Sequence, residues 1–145
     1  MDMKSLWNFI YEFDQSYDYH RKLVMHRYDL TAMEVDVLLF LANNPEFNTS
    51  ADFSRLRKIA KSHVSLAVNT LYEKGYVDKI ADKKNKKKIH LVPTKSAKTI
   101  IDFGRAEQAK FTDVVDRNIS EEERSVLRDI MNKMYQNLKD EYSDK

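Results

Sequence analysis

The side chains best equipped for chemistry in this chain are lysines. Between Lys83 and Lys88, five of them (Lys83, Lys84, Lys86, Lys87 and Lys88) are interrupted only by Asn85, and segments rich in Val, Ile and Leu flank the run. That pattern predicts a hairpin with its positive charge at the turn, where a polyanion such as a phosphate backbone is the natural partner. Just upstream, a helix predicted over 61–73 places Val64, Ala67, Val68 and Leu71 on one face. Its other face carries Lys61, Ser62, His63, Ser65, Leu66 and Asn69. Ser62, His63 and Asn69 can exchange hydrogen bonds with base edges, and Ser65 can reach a phosphate. Leu66 can meet a thymine methyl group or pack on the hairpin. Taken singly, these features read as ordinary helix surface and a solvated tip. Their adjacency points to nucleic acid.

The charge distribution agrees. The chain is nearly neutral, with 25 Lys and Arg against 23 Asp and Glu. Residues 52–98, however, hold thirteen basic against four acidic side chains, and the remainder holds twelve against nineteen. A basic module on an acidic scaffold suits nucleic acid. The alternative from another class is a protein-interaction adaptor whose basic lobe binds an acidic partner. RNA is a weaker fit, because no aromatic platform for single strands is present.

Other chemistries find little support. With no cysteine among the 145 residues, disulfides and thiolate metal sites are excluded. The four histidines, His20, His26, His63 and His90, show no i, i+4 pairing of the kind that builds a zinc site, although folding could bring His20 and His26 together. Asp14 and Asp18 share a helix face, which reads as solvation. No nucleophile elbow, Gly-rich phosphate loop or HExxH motif occurs, so neither an enzyme nor a bound cofactor or metal is expected. The absence of a signal-peptide pattern and of any long apolar run predicts a soluble, cytoplasmic protein without a membrane partner.

Two glycines and two prolines favour a mainly helical fold. A first helix is predicted over about 4–27. Thr31 with Glu34 forms a capping-box signature for a second helix, which Asn43, Asn44 and Pro45 stop. Thr49 or Ser50 can cap a short third helix. After the fourth, Gly75 is placed to end it in a left-handed conformation. Tyr76-Val77 and Ile89–Val92 then pair as strands. A long helix follows from Thr94 to about Asn118, and Ser120 with Glu123 caps the last one. Leu6, Phe9, Ile10 and Phe13 at one end, and Leu127, Met131, Met134 and Leu138 at the other, make apolar seams that need a partner. The expectation is a homodimer built from the two ends of the chain.

This order of elements resembles the MarR family of winged helix-turn-helix transcriptional regulators. The residues that carry the resemblance are Leu30-Thr31, the small-residue fourth helix with Val64, Val68 and Leu71, Glu73–Val77 at the strand entry, and the wing from Asp82 to Ile89-His90-Leu91 and Thr94. The resemblance implies one MarR-like domain over 1–145, mainly α with a β-hairpin wing. Dimerisation helices would lie at 1–28 and 99–145, with a winged DNA-binding lobe at 29–98. It implies a double-stranded DNA-binding regulator, a repressor released by a small effector. Many family members bind small, often aromatic, effectors between the dimerisation helices and the DNA-binding lobe, which singles out Tyr17, Tyr19 and His20. Where the family usually carries an Asp and arginines in the wing, this chain has Asn85, Lys86 and Lys87. A lysine presents a point charge and not a bidentate fork, so attraction to phosphate is expected there more than base reading.

Overall fold

Capping chemistry sets most element boundaries in the computed structural model, which describes residues 2–143. Helix α1 (Met3–Tyr28) starts where the Asp2 carboxylate accepts from the backbone N–H groups of Lys4 and Ser5, and stops at Asp29, whose φ of 52° is left-handed. Helix α2 (Ala32–Asn43) opens on a reciprocal box: Glu34 N–H donates to Thr31 Oγ1 at 3.2 Å, and Thr31 N–H to Glu34 Oε2 at 2.9 Å. Helix α3 (Ser50–Arg57) repeats the device with Thr49 and Asp52, so of the two capping candidates Thr49 fills the role.

Helix α4 (Lys61–Glu73) has Ala60 at its N-cap and no side-chain cap. Gly75, at φ 79°, turns the chain into strand β1 (Val77–Ala81), which pairs antiparallel with β2 (Ile89–Pro93) from Val77 opposite Pro93 to Ala81 opposite Ile89. The first strand is thus longer than the Tyr76-Val77 expected. Only Val77 in it is buried, and a strand wet on both faces lacks the alternation that betrays strands. A 3₁₀ turn at Lys95–Ala97 precedes helix α5 (Lys98–Val115), which ends short of the expected Asn118 because that residue turns left-handed, at φ 62°. Helix α6 (Glu121–Ser143) opens on the expected box between Ser120 and Glu123.

The chain divides into two compact units, Met1–Phe111 and Thr112–Lys145. In the first, the core gathers on α2, where every residue from Glu34 to Leu39 is buried. Phe53, 1 % exposed, meets Phe40 edge-on at 5.1 Å, while Val64, Val68 and Leu71 bring α4 into the same core. Gly104 lets α5 come close to α2: a Cβ there would sit 2.6 Å from Leu39 Cδ2. In the second unit α6 buries no residue. Among the described residues no helix is long and apolar enough to cross a membrane.

One charged contact ties α1 to the core. Arg21 donates to Asp18 at 2.7 Å and to Asp36, which is 5 % exposed, at 2.8 Å. Burial raises the Asp36 carboxyl above its ordinary range, and the attraction of Arg21 only partly offsets this. Burial alone would lower Arg21, but its bonds to the two carboxylates outweigh it and the net shift is upward. Arg21→Ala should therefore leave Asp36 buried without its partner and cost about 3 kcal/mol at neutral pH. Because a raised carboxyl is relieved by protonation, the deficit should shrink as pH falls below the Asp36 value. Urea unfolding of both proteins at pH 7 and pH 4.5 measures it.

Candidate nucleic-acid interface

Burial of Val64, Ala67, Val68 and Leu71 turns the opposite side of α4 outward, so Lys61, Ser62, His63, Ser65, Leu66 and Asn69 are all exposed, as expected. The structure divides them between two grooves. Lys61 and Ser65 line an open groove of about 600 Å³ together with Ser50, Asp52, Asn85, Lys87 and Lys88, which joins α4 to the hairpin. His63 and Leu66 line a second groove, of about 380 Å³, against Thr31, Met33 and Glu34 at the start of α2. Asn69 is not wholly free: its Oδ1 accepts from Lys79 Nζ at 2.7 Å, and the same ammonium lies 4.8 Å above the Tyr72 ring.

All five lysines of the run are exposed in the hairpin turn, on two sides of it. Lys87 and Lys88 face α4, whereas Lys83 and Lys84 line a shallow hollow with Ile80, Asp82 and His90. What holds so much like charge in one turn is Asp82. Its Oδ2 accepts from the backbone N–H groups of Lys84 at 3.0 Å and Asn85 at 2.9 Å, and its Oδ1 lies 2.8 Å from His90 Nε2. The bond to His90 first, and then those two N–H groups, hold the Asp82 carboxyl down at about 2. His90 in turn places Nδ1 2.7 Å from Asn48 Oδ1, and Leu91 N–H donates to Asn48 O at 2.7 Å. The hairpin is thus laced to the segment before α3. Asp82, His90 and Asn48 were not among the residues singled out for the site in the sequence. An Asp directly before Lys-Lys-Asn is an Asx-turn signal that reveals the first of them, but the bond to Asn48 spans 42 positions and leaves no local trace.

The residues expected at an effector site are only partly brought together. Tyr17 and His20 surround Phe111 edge-on, at 5.4 and 6.3 Å, and His20 Nδ1 lies 2.8 Å from the buried Glu107. Tyr19, 63 % exposed, lies outside that cluster and touches only the edge of His20. The space enclosed by Tyr17, His20, Val24, Leu39 and Gly104 is about 10 Å³, room for one water molecule. His20 is committed to Glu107 while His26 is exposed, so the pairing of these two histidines does not form.

Of the seam residues, Phe9 and Ile10 on α1 and Leu127, Met131, Met134 and Leu138 on α6 are exposed, and Leu6 is half-buried. Phe13 departs from a purely outward role by packing on Phe9 and, edge-on at 5.0 Å, on Phe111.

Comparison with known proteins matches residues 28–88 to the MarR family. No curated protein is similar enough to the chain to count as a match. Among solved structures, a MarR protein from Peptoclostridium difficile shares 21 % identity over 94 % of this chain and 88 % of its own, with a TM-score of 0.76. A MarR-family transcriptional regulator from Listeria monocytogenes, solved with a 26mer DNA, shares 21 % over 93 % and 89 %, with a TM-score of 0.79. The DNA complex of MepR from S. aureus shares 16 % over 94 % and 96 %, with a TM-score of 0.76. The resemblance read from the sequence holds, and the winged helix-turn-helix fold extends over nearly the whole chain.

If Asp82 organises the turn, Asp82→Ala should speed hydrogen exchange at the Lys84 and Asn85 amides and leave the amides of α4 unchanged. In the unaltered protein a depressed carboxyl contributes fully above pH 4 and loses its contribution as pH falls through about 2. Amide resonances of Lys84 and Asn85, followed by NMR down to that pH, report the loss.

Proposed function

We propose, from the MarR match over residues 28–88 and the fold shared across nearly the whole chain, that this protein is a homodimeric, sequence-specific double-stranded DNA-binding transcriptional regulator acting in the cytoplasm as a repressor. The observation that carries this reading is the groove in which the outward side of α4 meets the lysines of the hairpin, Lys61 and Ser65 facing Lys87 and Lys88. A duplex laid there has α4 in its major groove and the wing against the adjacent backbone. The repressor assignment rests on the family resemblance. A small effector entering at Tyr17 and His20 has to widen a space that now admits no more than a water molecule. No reaction is assigned to the chain.

Dimerisation rests on the exposed apolar seams of the two chain ends. A 23-residue helix that buries nothing within its own chain needs a partner surface. Two subunits related by a two-fold axis set their α4 helices about 34 Å apart and call for a palindromic site.

Retarded migration of a duplex from the protein's own promoter tests the reading. Replacing Lys86 and Lys87 by Ala should weaken binding to promoter and random duplexes alike, and should flatten the plot of log affinity against log salt by about one unit for each lost phosphate contact. Absence of any preference for the promoter duplex would turn the assignment towards an adaptor for an acidic partner. For the assembly, sedimentation at micromolar concentration should show a dimer, and Met134→Ala should lower dimer stability and DNA affinity together. A monomer that binds its operator tightly would sink the symmetric arrangement.

A further inference from the structure

Leu66 is the most exposed of the large apolar side chains among the described residues, at 71 %, and it stands at the centre of the outward side of α4. Ser62 lies one turn before it and Asn69 one turn after, so these share its face. With that exposure Leu66 is not packed on the hairpin, and it adds little to folding.

Its neighbours show what kind of reading α4 can perform. Bidentate recognition of guanine takes an arginine or lysine, and that of adenine takes both the oxygen and the nitrogen of an amide. Helix α4 contains no arginine. Its lysine, Lys61, sits at the first residue and faces the groove shared with Lys87 and Lys88, on the backbone side of the proposed complex. The Asn69 oxygen is already taken by Lys79 at 2.7 Å. At the centre of the helix there remain the single hydrogen bonds of Ser62, His63 and Ser65, and one apolar side chain. The distinct apolar feature of the major groove is the 5-methyl group of thymine.

We infer that Leu66 reads a thymine 5-methyl group in each half-site, and that this apolar contact, in place of a bidentate hydrogen bond, carries most of the base discrimination of α4. The inference deepens the DNA-binding reading and rests on it.

The test uses a duplex selected by the full-length protein from a random library, with each thymine replaced in turn by 2′-deoxyuridine, which removes the methyl group and nothing else. One position per half-site should lose about fourfold in affinity, the factor for one methyl group returned to water. The other thymines should be indifferent. Leu66→Ala should bind the thymine duplex about as weakly as the unaltered protein binds the uracil one, and should not distinguish thymine from uracil at that position. Because Leu66 is solvent-exposed, the variant should melt at the unaltered temperature, which circular dichroism checks. Tight binding that is indifferent to uracil at every position overturns the inference and leaves the DNA-binding reading standing. So does a Leu66→Ala variant that keeps the uracil penalty. If neither selected nor random duplexes are retained, the DNA-binding reading falls and takes this inference with it.

Discussion

The rotational setting of α4 depends on the burial of one stripe of side chains, and the rest of the interface depends on that setting. Val64 and Leu71 are fully inaccessible, and Ala67 and Val68 nearly so. Each large apolar residue buried there contributes about 1.5–3 kcal/mol, whereas the N-terminus of the helix, with Ala60, lacks a side-chain cap. Packing against α2 and α3 therefore fixes the helix. A rotation by one residue, about 100°, would bury His63 or Ser65 without a polar partner and expose part of the stripe. The outward set of Ser62, His63, Ser65, Leu66 and Asn69 is a direct consequence of what lies inward.

The hairpin solves the opposite problem, since five lysines within six residues repel one another and water is the easier place for each of them. One carboxylate organises the turn: Asp82 occupies two backbone N–H groups and an imidazole, and Asn85 Oδ1 accepts from Lys87 N–H at 3.1 Å. The backbone is thus specified while the ammonium groups stay free, an arrangement suited to attraction without strict geometry.

Much of this was legible in the sequence because it is written in local patterns. The Thr31 and Ser120 capping boxes, the limits of α4 and the turn at Gly75 are signals of a few residues, and each appears where it was read. The full length of strand β1 is not legible in the sequence, because its residues beyond Val77 are wet and carry no alternation. The Asp82 to His90 to Asn48 chain, the bond between Lys79 and Asn69, and the close approach at Gly104 join residues that only folding brings together. The effector residues Tyr17, Tyr19 and His20 are what the family resemblance implies, not a pattern in their spacing. A resemblance does not say how deeply each ring is buried, and Tyr19 stays largely exposed, meeting the cluster only at His20.

The bond from Lys79 to Asn69 gives the lobe a mechanical property beyond its chemistry. Strand β1 and helix α4 are stitched side chain to side chain at 2.7 Å, with the Tyr72 ring beneath the stitch. The two parts that would grip a duplex thus share a member. Displacing the strand pulls on the amide of the helix, and drawing that amide towards a base releases the lysine. Energies measured on one part and the other will therefore not sum, and a double-mutant cycle across this pair should carry a non-zero interaction term. A change of sequence in the hairpin strand therefore alters the chemistry that the helix presents.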